Sequence, residues 1–480
     1  MSDLPTPAPG LEDLRLYDTR TREVRPFVPL DPPRVGFYSC GPTVYAPQHL
    51  GNMRSQLLPD LLRRVLLAAG YDVTYVTNIT DVGHLVSDAD EGEDKIEAAA
   101  ARTGQTATEI AAFYTQQWAE DRARLGCLEP DVRPRAADHI DEQIELIRAL
   151  EAKGHTYVID DGVYFDVSTF PAYADFARID LDELETSGRV EHVEAKRHPA
   201  DFALWKRTPP GVVRQQEWDS PWGRGFPGWH IECSAMATKY LGRQFDIHGG
   251  GVDHVRVHHT NEVAQSECGL GVHPWVGWWV HNEFLDLAGA KISKSKGDVL
   301  VVDSLVERGI DPLAFRYFFL QGHYRQQQAF SFEAVEAAGV ALRRLIGHAV
   351  AARDAGGEVV DRAGVEANRR RFWSALADDL NAPQALAVIS EVAKDESLAP
   401  ADRWAVLLDA DRALGFALAD AVAPGGDDSG SDPRIDGLVA DREAARAAKD
   451  FAAADRIRDE LADEGVEIVD TPSGPTWRRR

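Results

Sequence analysis

Residues 40–52 read CGPTVYAPQHLGN, and this stretch decides the fold. An apolar run at residues 35–38 precedes it, and an amphipathic pattern from about residue 51 to residue 69 follows it. This order predicts a strand, a loop and a helix, and the start of such a helix attracts phosphate through its free N–H groups and its dipole. The loop also carries Cys40, a possible metal ligand. Thiol chemistry and phosphate chemistry are therefore expected in one segment.

The flanking residues extend this unit into a parallel sheet. Gly70 suits the position after a helix, and Val73 and Tyr75 belong to a run at residues 72–78 that suits a buried strand. A right-handed crossover is the usual arrangement of a strand–helix–strand unit, so we expect a Rossmann-like sheet. Pro59 inside the helical pattern predicts a kink.

The whole chain predicts an α/β fold: a Rossmann-like catalytic domain with an α+β insertion, followed by a helical bundle and a small C-terminal module. Helical patterns at about residues 96–125 and 136–153 and a hairpin signal at Asp161-Gly162 interrupt the alternation of strands and helices. The α/β pattern resumes near Asp201, and the later part is almost entirely helical up to a flexible linker rich in Gly, Asp and Ser. The expected divisions are the two catalytic halves (14–100 and 201–302), the insertion (101–200), a connection (303–340), the bundle (341–422), the linker (423–433) and the module (434–480).

The composition excludes several classes of protein. The chain has 480 residues, 44% of them hydrophobic, and no apolar run long enough to span a bilayer, so we expect no membrane association. Its polar, proline-rich beginning lacks a signal-peptide pattern, and four cysteines are too few for a disulfide framework; both features predict a cytoplasmic protein. The formal net charge of −26 argues against nonspecific coating of nucleic acid, so any RNA contact has to use local basic patches.

Two separated motifs suit a nucleoside triphosphate. His49 and Asn52 are three residues apart at the expected helix start, so both side chains can reach one ligand. Far downstream, the loop KISKSKG carries Lys291 and Lys294, and mobile cations suit a polyphosphate whose charge moves during a reaction. Alone, the histidine is an ordinary surface residue and the loop an ordinary solvated basic loop. Together they favour a phosphate site.

A glycine run supplies the nucleoside part of the same site. Gly249, Gly250 and Gly251 follow an expected strand and precede Asp253. A glycine turn there can admit the flat face of a base, and the following carboxylate can hold ribose hydroxyls. A glycine loop by itself is usually only a turn.

Four scattered residues have the chemistry of zinc ligands. His258 and Glu262 are four residues apart and share one face of a helix, and Cys40 and Cys233 add two sulfurs. The spacing alone does not show a metal site, because a cysteine is often a small buried hydrophobe and a lone histidine a packed or surface residue. Trp229, one turn before Cys233, would ordinarily belong to the core.

The pair formed by the HLGN turn and the KISKS loop resembles the signature of class I aminoacyl-tRNA synthetases. Longer strings resemble the cysteinyl-tRNA synthetase family more specifically, and the likeness extends from about residue 14 to the C-terminus. These strings are CGPTVY at 40–45, DFALWK at 201–206, GWHIECSAM at 228–236, HGGGVD at 248–253, HHTNEVAQ at 258–265 and TWRR at 476–479.

The resemblance implies that the chain activates L-cysteine with ATP and passes it to tRNA(Cys), with Mg²⁺ accompanying ATP. It implies one zinc ion per chain that selects the substrate thiol, held by Cys40, Cys233, His258 and Glu262. His49, Asn52, Lys291 and Lys294 are the expected catalytic residues at the ATP phosphates. The expected substrate and ATP-binding residues are Gly41, Thr43, Trp229, Gly249, Gly250, Asp253 and, again, Lys294. Residues 303–340 are expected to meet the acceptor stem, residues 341–422 to bind tRNA, and residues 434–480 to bind the anticodon through Trp477 and Arg478. The family suggests a monomer.

One segment departs from the family pattern, and two other functions compete. Residues 82–95 form a longer loop than the family's usual continuation, and His84 within it is either a pocket residue or, more simply, an exposed one. The cysteine ligase of mycothiol biosynthesis shares the zinc site and both signatures but transfers cysteine to an amino sugar. A noncatalytic paralogue that binds tRNA or zinc is the other alternative.

Overall fold

The computed structural model describes residues 7–82, 94–179, 195–209, 211–287, 299–422, 433–447, 450–463, 466–471 and 474–479. The strands are β1 Arg15–Asp18, β2 Glu23–Pro26, β3 Arg34–Ser39, β4 Asp72–Thr77, β5 Thr156–Ile159, β6 Gly162–Phe165, β7 Phe202–Arg207, β8 Gly225–Pro227, β9 Phe245–Gly251, β10 Val276–Asn282, β11 Leu285–Asp286, β12 Gln328–Ala329, β13 Val466–Thr471 and β14 Gly474–Arg479. The helices are α1 Leu50–Ala68, α2 Lys95–Thr103, α3 Ala107–Arg124, α4 Ile140–Ala152, α5 Trp229–Leu241, α6 Val252–Arg256, α7 His258–Leu270, α8 Val302–Val306, α9 Pro312–Leu320, α10 Phe332–Ala355, α11 Arg362–Ala377, α12 Ala382–Lys394, α13 Pro400–Leu414, α14 Pro433–Ala447 and α15 Phe451–Asp463.

A four-stranded parallel sheet forms the centre of the catalytic part, in the order β10-β9-β3-β4. Strands β3 and β4 pair in register from Arg34↔Asp72 to Ser39↔Thr77, and α1 connects them. The predicted strand–helix–strand unit and the Rossmann-like sheet are therefore confirmed. Because the strands are parallel, their carboxyl ends share one edge, which is where open α/β sheets bind ligands.

Helix α1 begins where the sequence predicts, and its inner face is buried. Apolar side chains recur along it at helical spacing, including Leu58, Leu61, Leu62 and Val65, and all of these are buried. Pro59 lies inside the helix. This burial fixes the start of α1 against the sheet edge.

The insertion differs from the prediction in three respects. The expected helix over residues 96–125 is two helices, because Gly104 adopts a left-handed conformation (φ +70°) and ends the first. The hairpin turn consists of Asp160 and Asp161, since Ile159 pairs with Gly162. Strand β7 does not resume the parallel sheet near residue 201: β5, β6, β7 and β8 form one antiparallel sheet that reaches Pro227.

A buried arginine joins the catalytic part to the helical bundle. Arg316 on α9 donates to Asp60 of α1 (2.6 Å) and to the carbonyl oxygens of Leu125 and Leu414. Burial opposes ionisation of Asp60, yet the guanidinium groups of Arg316 and Arg64 keep the pKa of this carboxyl below its ordinary value. The two parts of the chain thus share one core.

The C-terminal module contains the predicted helical hairpin, α14 and α15, followed by the antiparallel pair β13 and β14. Backbone pairing sets Ile468 opposite Trp477 and Glu467 opposite Arg478. Among the described residues, no helix is both long enough and apolar enough to cross a membrane.

Candidate active site and metal centre

A cavity of about 620 Å³ lies at the carboxyl edge of the parallel sheet. The segments that follow β3, β4, β9 and β10 contribute to its wall, together with the first turns of α1 and α5. The predicted site residues on this wall are Cys40, Gly41, Thr43, His49, Asn52, Trp229, Cys233, Gly250, Asp253 and His258. Glu262 and Gly249 are fully or nearly fully buried and lie outside this lining. Residues from distant parts of the sequence therefore meet in one cavity.

Four of the predicted ligands converge at one point of this wall. The ligand atoms of Cys40, Cys233, His258 and Glu262 all lie within 4.8 Å of one another. The two Sγ atoms are 4.0 Å apart, and Cys40 Sγ is 3.8 Å from Glu262 Oε1. Two sulfurs bound to a tetrahedral zinc at about 2.3 Å would be roughly 3.8 Å apart, so this donor set fits zinc in type and in spacing.

A second set of residues overlaps the first and was missed by sequence reasoning. Cys40 and Glu262 also lie within 4.8 Å of the ring nitrogens of His248 and His259. His259 Nε2 is 3.3 Å from Cys40 Sγ, and His248 Nε2 is 2.9 Å from Glu262 Oε2. The signal was present in the sequence, since His259 lies next to His258 and three residues before Glu262. We interpret these two histidines as hydrogen-bonding support for the ligands, because each contacts a residue of the first set: His259 the sulfur of Cys40, and His248 the second carboxylate oxygen of Glu262.

The second set continues into a chain of side chains that leads away from the cavity. His259 Nδ1 lies 2.7 Å from His281 Nε2, and His281 Nδ1 lies 2.7 Å from the hydroxyl of Thr19. If this hydroxyl donates, both rings carry their proton on Nε2, and His259 donates to the Cys40 sulfur. Such a chain fixes the orientation of a ligand that would otherwise rotate.

Burial and opposite charges set the protonation of the ligand cluster. Burial opposes the charge on Glu262, but His248 and His258 bring its pKa down to about 2. Burial likewise opposes the charge on His258, and Glu262 and Cys233 raise its pKa to about 10. The hydrogen bond from Cys40 lowers the pKa of Cys233 to about 6, whereas burial raises that of Cys40. The metal-free cluster thus favours one thiolate, a property that suits metal capture.

The phosphate end lies at the start of α1. His49 is the N-cap residue, and its Nδ1 accepts from the backbone N–H of Asn52 at 3.1 Å. Asn52 Nδ2 in turn donates to Gln48 Oε1 at 2.9 Å. Burial lowers the pKa of His49, so the ring is neutral near pH 7. These bonds hold both predicted phosphate residues at one helix terminus.

Lys291 and Lys294 lie outside the described residues, as does His84. The flanks of the lysine loop are described: Leu287 and Val299 both line the cavity, and the N–H of Leu50 donates to Leu300 at 2.8 Å. The two described flanks of this segment therefore both reach the cavity, and the second lies against the start of α1.

The glycine run does not form the predicted turn. Gly249, Gly250 and Gly251 complete strand β9, and the next helix begins at Val252. A Cβ atom on Gly250 would lie 2.8 Å from the ring of His259, and one on Gly251 would lie 2.2 Å from an oxygen of Asp253. These glycines are needed because side chains pack directly against the strand, and they are not needed for a turn.

Gly41 is required by a crossing of two backbone segments. A Cβ atom there would lie 1.6 Å from the carbonyl oxygen of Asn78, and the N–H of Gly41 donates to Asn78 Oδ1 at 2.9 Å. Thr43 bridges Thr80 in the same region. The stretch between the predicted ligand Cys40 and the phosphate end is thus held against the end of β4.

Trp229 lies over the metal-ligand cluster. Its ring centroid is 4.3 Å from that of His258, at an interplanar angle of 37°. Trp229 starts α5 one turn before Cys233, as the sequence predicts. The indole can therefore limit the size of a substrate side chain that approaches the cluster.

Comparisons with known proteins agree with this geometry. A family model described as "tRNA synthetases class I (C) catalytic domain" matches residues 26–339, and one described as "Cysteinyl-tRNA ligase anticodon binding domain" matches residues 428–478. Cysteine--tRNA ligase 1 of Burkholderia lata is 47% identical, with 96% of each chain covered. The Treponema denticola cysteine--tRNA ligase is 40% identical, with 97% of this chain and 99% of the relative covered.

Solved structures of other synthetases share the fold. A Mycobacterium tuberculosis methionyl-tRNA synthetase bound by methionyl-adenylate matches with a TM-score of 0.52 at 18% identity, over 88% of this chain and 96% of the other. The Agrobacterium radiobacter K84 agnB2 LeuRS, in a ternary complex with tRNA and LeuAMS, matches with a TM-score of 0.58 at 12% identity, over 82% and 86%. At these identities the likeness concerns the fold alone.

Proposed function

The chain belongs to the cysteinyl-tRNA ligase family of class I aminoacyl-tRNA synthetases, and we propose that its cavity selects cysteine through a zinc ion. The enzyme joins cysteine to tRNA and converts ATP to AMP and pyrophosphate. The observation that carries the zinc proposal is the convergence of Cys40, Cys233, His258 and Glu262 on the wall of a cavity that also reaches His49.

Zinc supplies the discrimination that shape cannot. Serine differs from cysteine by one atom, and a pocket separates such near-isosteres poorly by size. A zinc ion, when bound, prefers a soft thiolate to a hydroxyl as an additional ligand. The protein's part is to hold the four ligands and to keep the pocket small with Trp229.

The first chemical step is adenylate formation. A carboxylate oxygen of cysteine attacks the α-phosphorus of ATP, the bond from this phosphorus to the β-phosphate bridge breaks, and pyrophosphate leaves with the electron pair. His49 and Asn52 at the start of α1, with Lys291 and Lys294, are proposed to bind the phosphates as this charge moves. Mg²⁺ would accompany ATP through phosphate oxygens.

The second step transfers cysteine to tRNA. A ribose hydroxyl at the tRNA end attacks the carbonyl carbon of the adenylate, and AMP leaves. We propose that Gly41, Thr43, Gly249, Gly250 and Asp253 position the adenylate for both steps. Their placement on or beside the cavity wall supports this role.

The parts outside the catalytic domain are proposed to hold tRNA. Residues 303–340 would meet the acceptor stem, residues 341–422 the body of tRNA, and residues 434–480 the anticodon, with Trp477 stacking on a base and Arg478 binding phosphate. The family match over residues 428–478 supports the last assignment. We further propose that the enzyme is a monomer and acts in the cytoplasm.

The same C-terminal match favours this function over its nearest rival. A cysteine ligase that transfers to an amino sugar has no use for an anticodon-binding module, which this chain carries. Aminoacylation of transcribed tRNA tests the acceptor directly, and the amino-sugar ligase is the correct function if tRNA is not charged while an amino sugar is.

The zinc proposal is tested by Cys233→Ala. We expect the variant to lose bound zinc and cysteine-dependent ATP–pyrophosphate exchange together. The matched control is Cys268→Ala, which removes a thiol from the far end of α7, outside the ligand cluster. Normal cysteine activation by metal-free Cys233→Ala would contradict the proposal.

A further inference from the structure

Lys95 faces the cavity and has no role in the scheme above. It is the first residue of α2, directly after the segment of residues 83–93, and it lines the cavity with Thr43, Tyr45 and Thr80. Its ammonium group lies 5.5 Å from the centre of the Tyr45 ring. Among the described lining residues it is the sole lysine or arginine.

Charged side chains anchor the backbone around Lys95. Asp94, the N-cap of α2, accepts from the N–H groups of Ile96 (2.9 Å) and Glu97, and its buried carboxylate pairs with Arg214. Glu97 accepts from the backbone N–H groups at residues 215 (2.8 Å) and 216 (3.1 Å). Lys95 is therefore presented to the cavity from a fixed support.

Lys95 lies beside Tyr45, on the stretch of the cavity wall that joins its two ends. Tyr45 lies in sequence between Cys40, a metal ligand at one end, and His49, which caps the helix at the other. An amino acid bound by its side chain at the first end and ATP bound by its outer phosphates at the second would meet between them. The α-phosphate and the attacking carboxylate are both anions, and Asp253 adds a third negative charge on the described wall. A positive charge at this point favours their approach.

We propose that Lys95 binds the α-phosphate of ATP during adenylate formation. The inference rests on the proposed function, because it assumes that a nucleotide and an amino acid occupy this cavity. An ammonium group that donates to a phosphate oxygen lowers the charge that the attacking carboxylate meets and holds the phosphorus in line. Lys95 is thus a substrate-binding residue supplied by the start of α2, while His49 and Asn52 come from the start of α1.

Three variants test this role. Lys95→Met keeps the aliphatic stem and removes the charge, Lys95→Arg keeps the charge, and Lys153→Met removes an exposed lysine at the end of α4 as a control. We expect Lys95→Met to lower kcat/KM for ATP in cysteine-dependent ATP–pyrophosphate exchange by roughly 10- to 100-fold. Lys95→Arg should retain most of the activity, Lys153→Met should match the wild type, and the zinc content of all three should stay at one ion per chain.

Three results would overturn the inference. Unchanged exchange in Lys95→Met, or an equal loss in Lys95→Arg, would show that the charge is not used. A loss confined to single-turnover transfer from preformed cysteinyl-adenylate to tRNA would assign Lys95 to the tRNA end. If the wild type itself shows no cysteine-dependent exchange, the proposed function fails and Lys95 is not the cause.

Discussion

The two overlapping ligand sets make a sharp prediction about neighbouring histidines. His258→Gln and His259→Gln introduce the same change at adjacent positions of α7, yet only His258 belongs to the set that we assign to zinc. His258 Nε2 lies 2.9 Å from Glu262 Oε1, whereas the ring of His259 contacts Cys40 at a longer 3.3 Å. The first variant should lose a ligand, and the second should lose a supporting hydrogen bond.

The expected magnitudes follow from these roles. A structural zinc site binds with about 10–16 kcal/mol, so one ligand of four accounts for about 3 kcal/mol, or roughly 200-fold in affinity. His258→Gln also removes the partner of Glu262 and of His230, whose ring nitrogen is 2.9 Å from that of His258, so the loss should be at least this large. Loss of a supporting contact costs roughly 10- to 100-fold, and because sulfur is a weak acceptor we expect the lower end for His259→Gln.

Zinc affinity measured by competition with a chelator of known affinity is the assay, with exchange on cysteine and on serine as a second readout. Substitution by cobalt adds a spectrum that responds to a change of ligands but not to a distant hydrogen bond. Weaker zinc binding by His259→Gln than by His258→Gln, with an altered cobalt spectrum in the former alone, would refute our assignment. It would place the metal between His248 and His259.

Three further predictions concern the frame around the site. Gly41→Ala should abolish ATP–pyrophosphate exchange, because its Cβ would overlap the carbonyl oxygen of Asn78. The control is Gly347→Ala, which adds a Cβ in open space on α10. A fully active Gly41→Ala would contradict the close crossing of the two backbone segments. Arg316→Met should lower the free energy of unfolding by about 1.5–3 kcal/mol, because it removes one of the two guanidinium groups that face the buried Asp60 and leaves Arg64 as the other. Arg371→Met breaks an exposed pair with Glu391 and should cost at most about 1 kcal/mol, and equal losses in urea unfolding would show that burial is irrelevant. Burial raises the pKa of Asp121 from 3.8 to about 6, so between these pH values the folded state binds more protons than the unfolded state. The free energy of unfolding should therefore fall as pH rises from about 4 to 6, and Asp121→Asn should flatten this part of the curve. An unchanged slope in the variant would show that the Asp121 carboxyl does not cause the pH dependence.

The sequence predicted local structure well and long-range pairing less well. The unit from β3 through α1 to β4 was predictable because, within 45 residues, the apolar residues change from the pattern of a strand to the spacing of a helix and back. The partner of β7 was not, because β6 lies more than 35 residues upstream and both parallel and antiparallel strands can have the apolar pattern of β7. Periodicity shows that a segment is a strand but not which strand it joins.

In the candidate site, likewise, the types of residue were easier to predict than their positions in space. Residue types suited zinc and the family resemblance implied the four predicted ligands. Residue types alone do not separate His258 from His259, since residues three and four apart from Glu262 lie on nearly the same helix face. Lys95 was missed because the length of the preceding segment does not show where α2 begins, and so does not show which residue faces the cavity. The glycines of β9 were assigned to a turn because glycine suits both a turn and a close approach of side chains.

The backbone contacts that hold residues 40–49 would give the proposed metal a second role besides recognition of the thiol. The crossing at Gly41 and the bridge from Thr43 to Thr80 fix the distance between Cys40 and the start of α1. A substrate sulfur held at the ligand cluster therefore determines where the carboxylate lies relative to the α-phosphate. Serine, whose hydroxyl binds zinc weakly, would lose affinity and also correct placement, so its kcat in exchange should fall together with its kcat/KM. A normal kcat at saturating serine would show that the metal selects the substrate without positioning it.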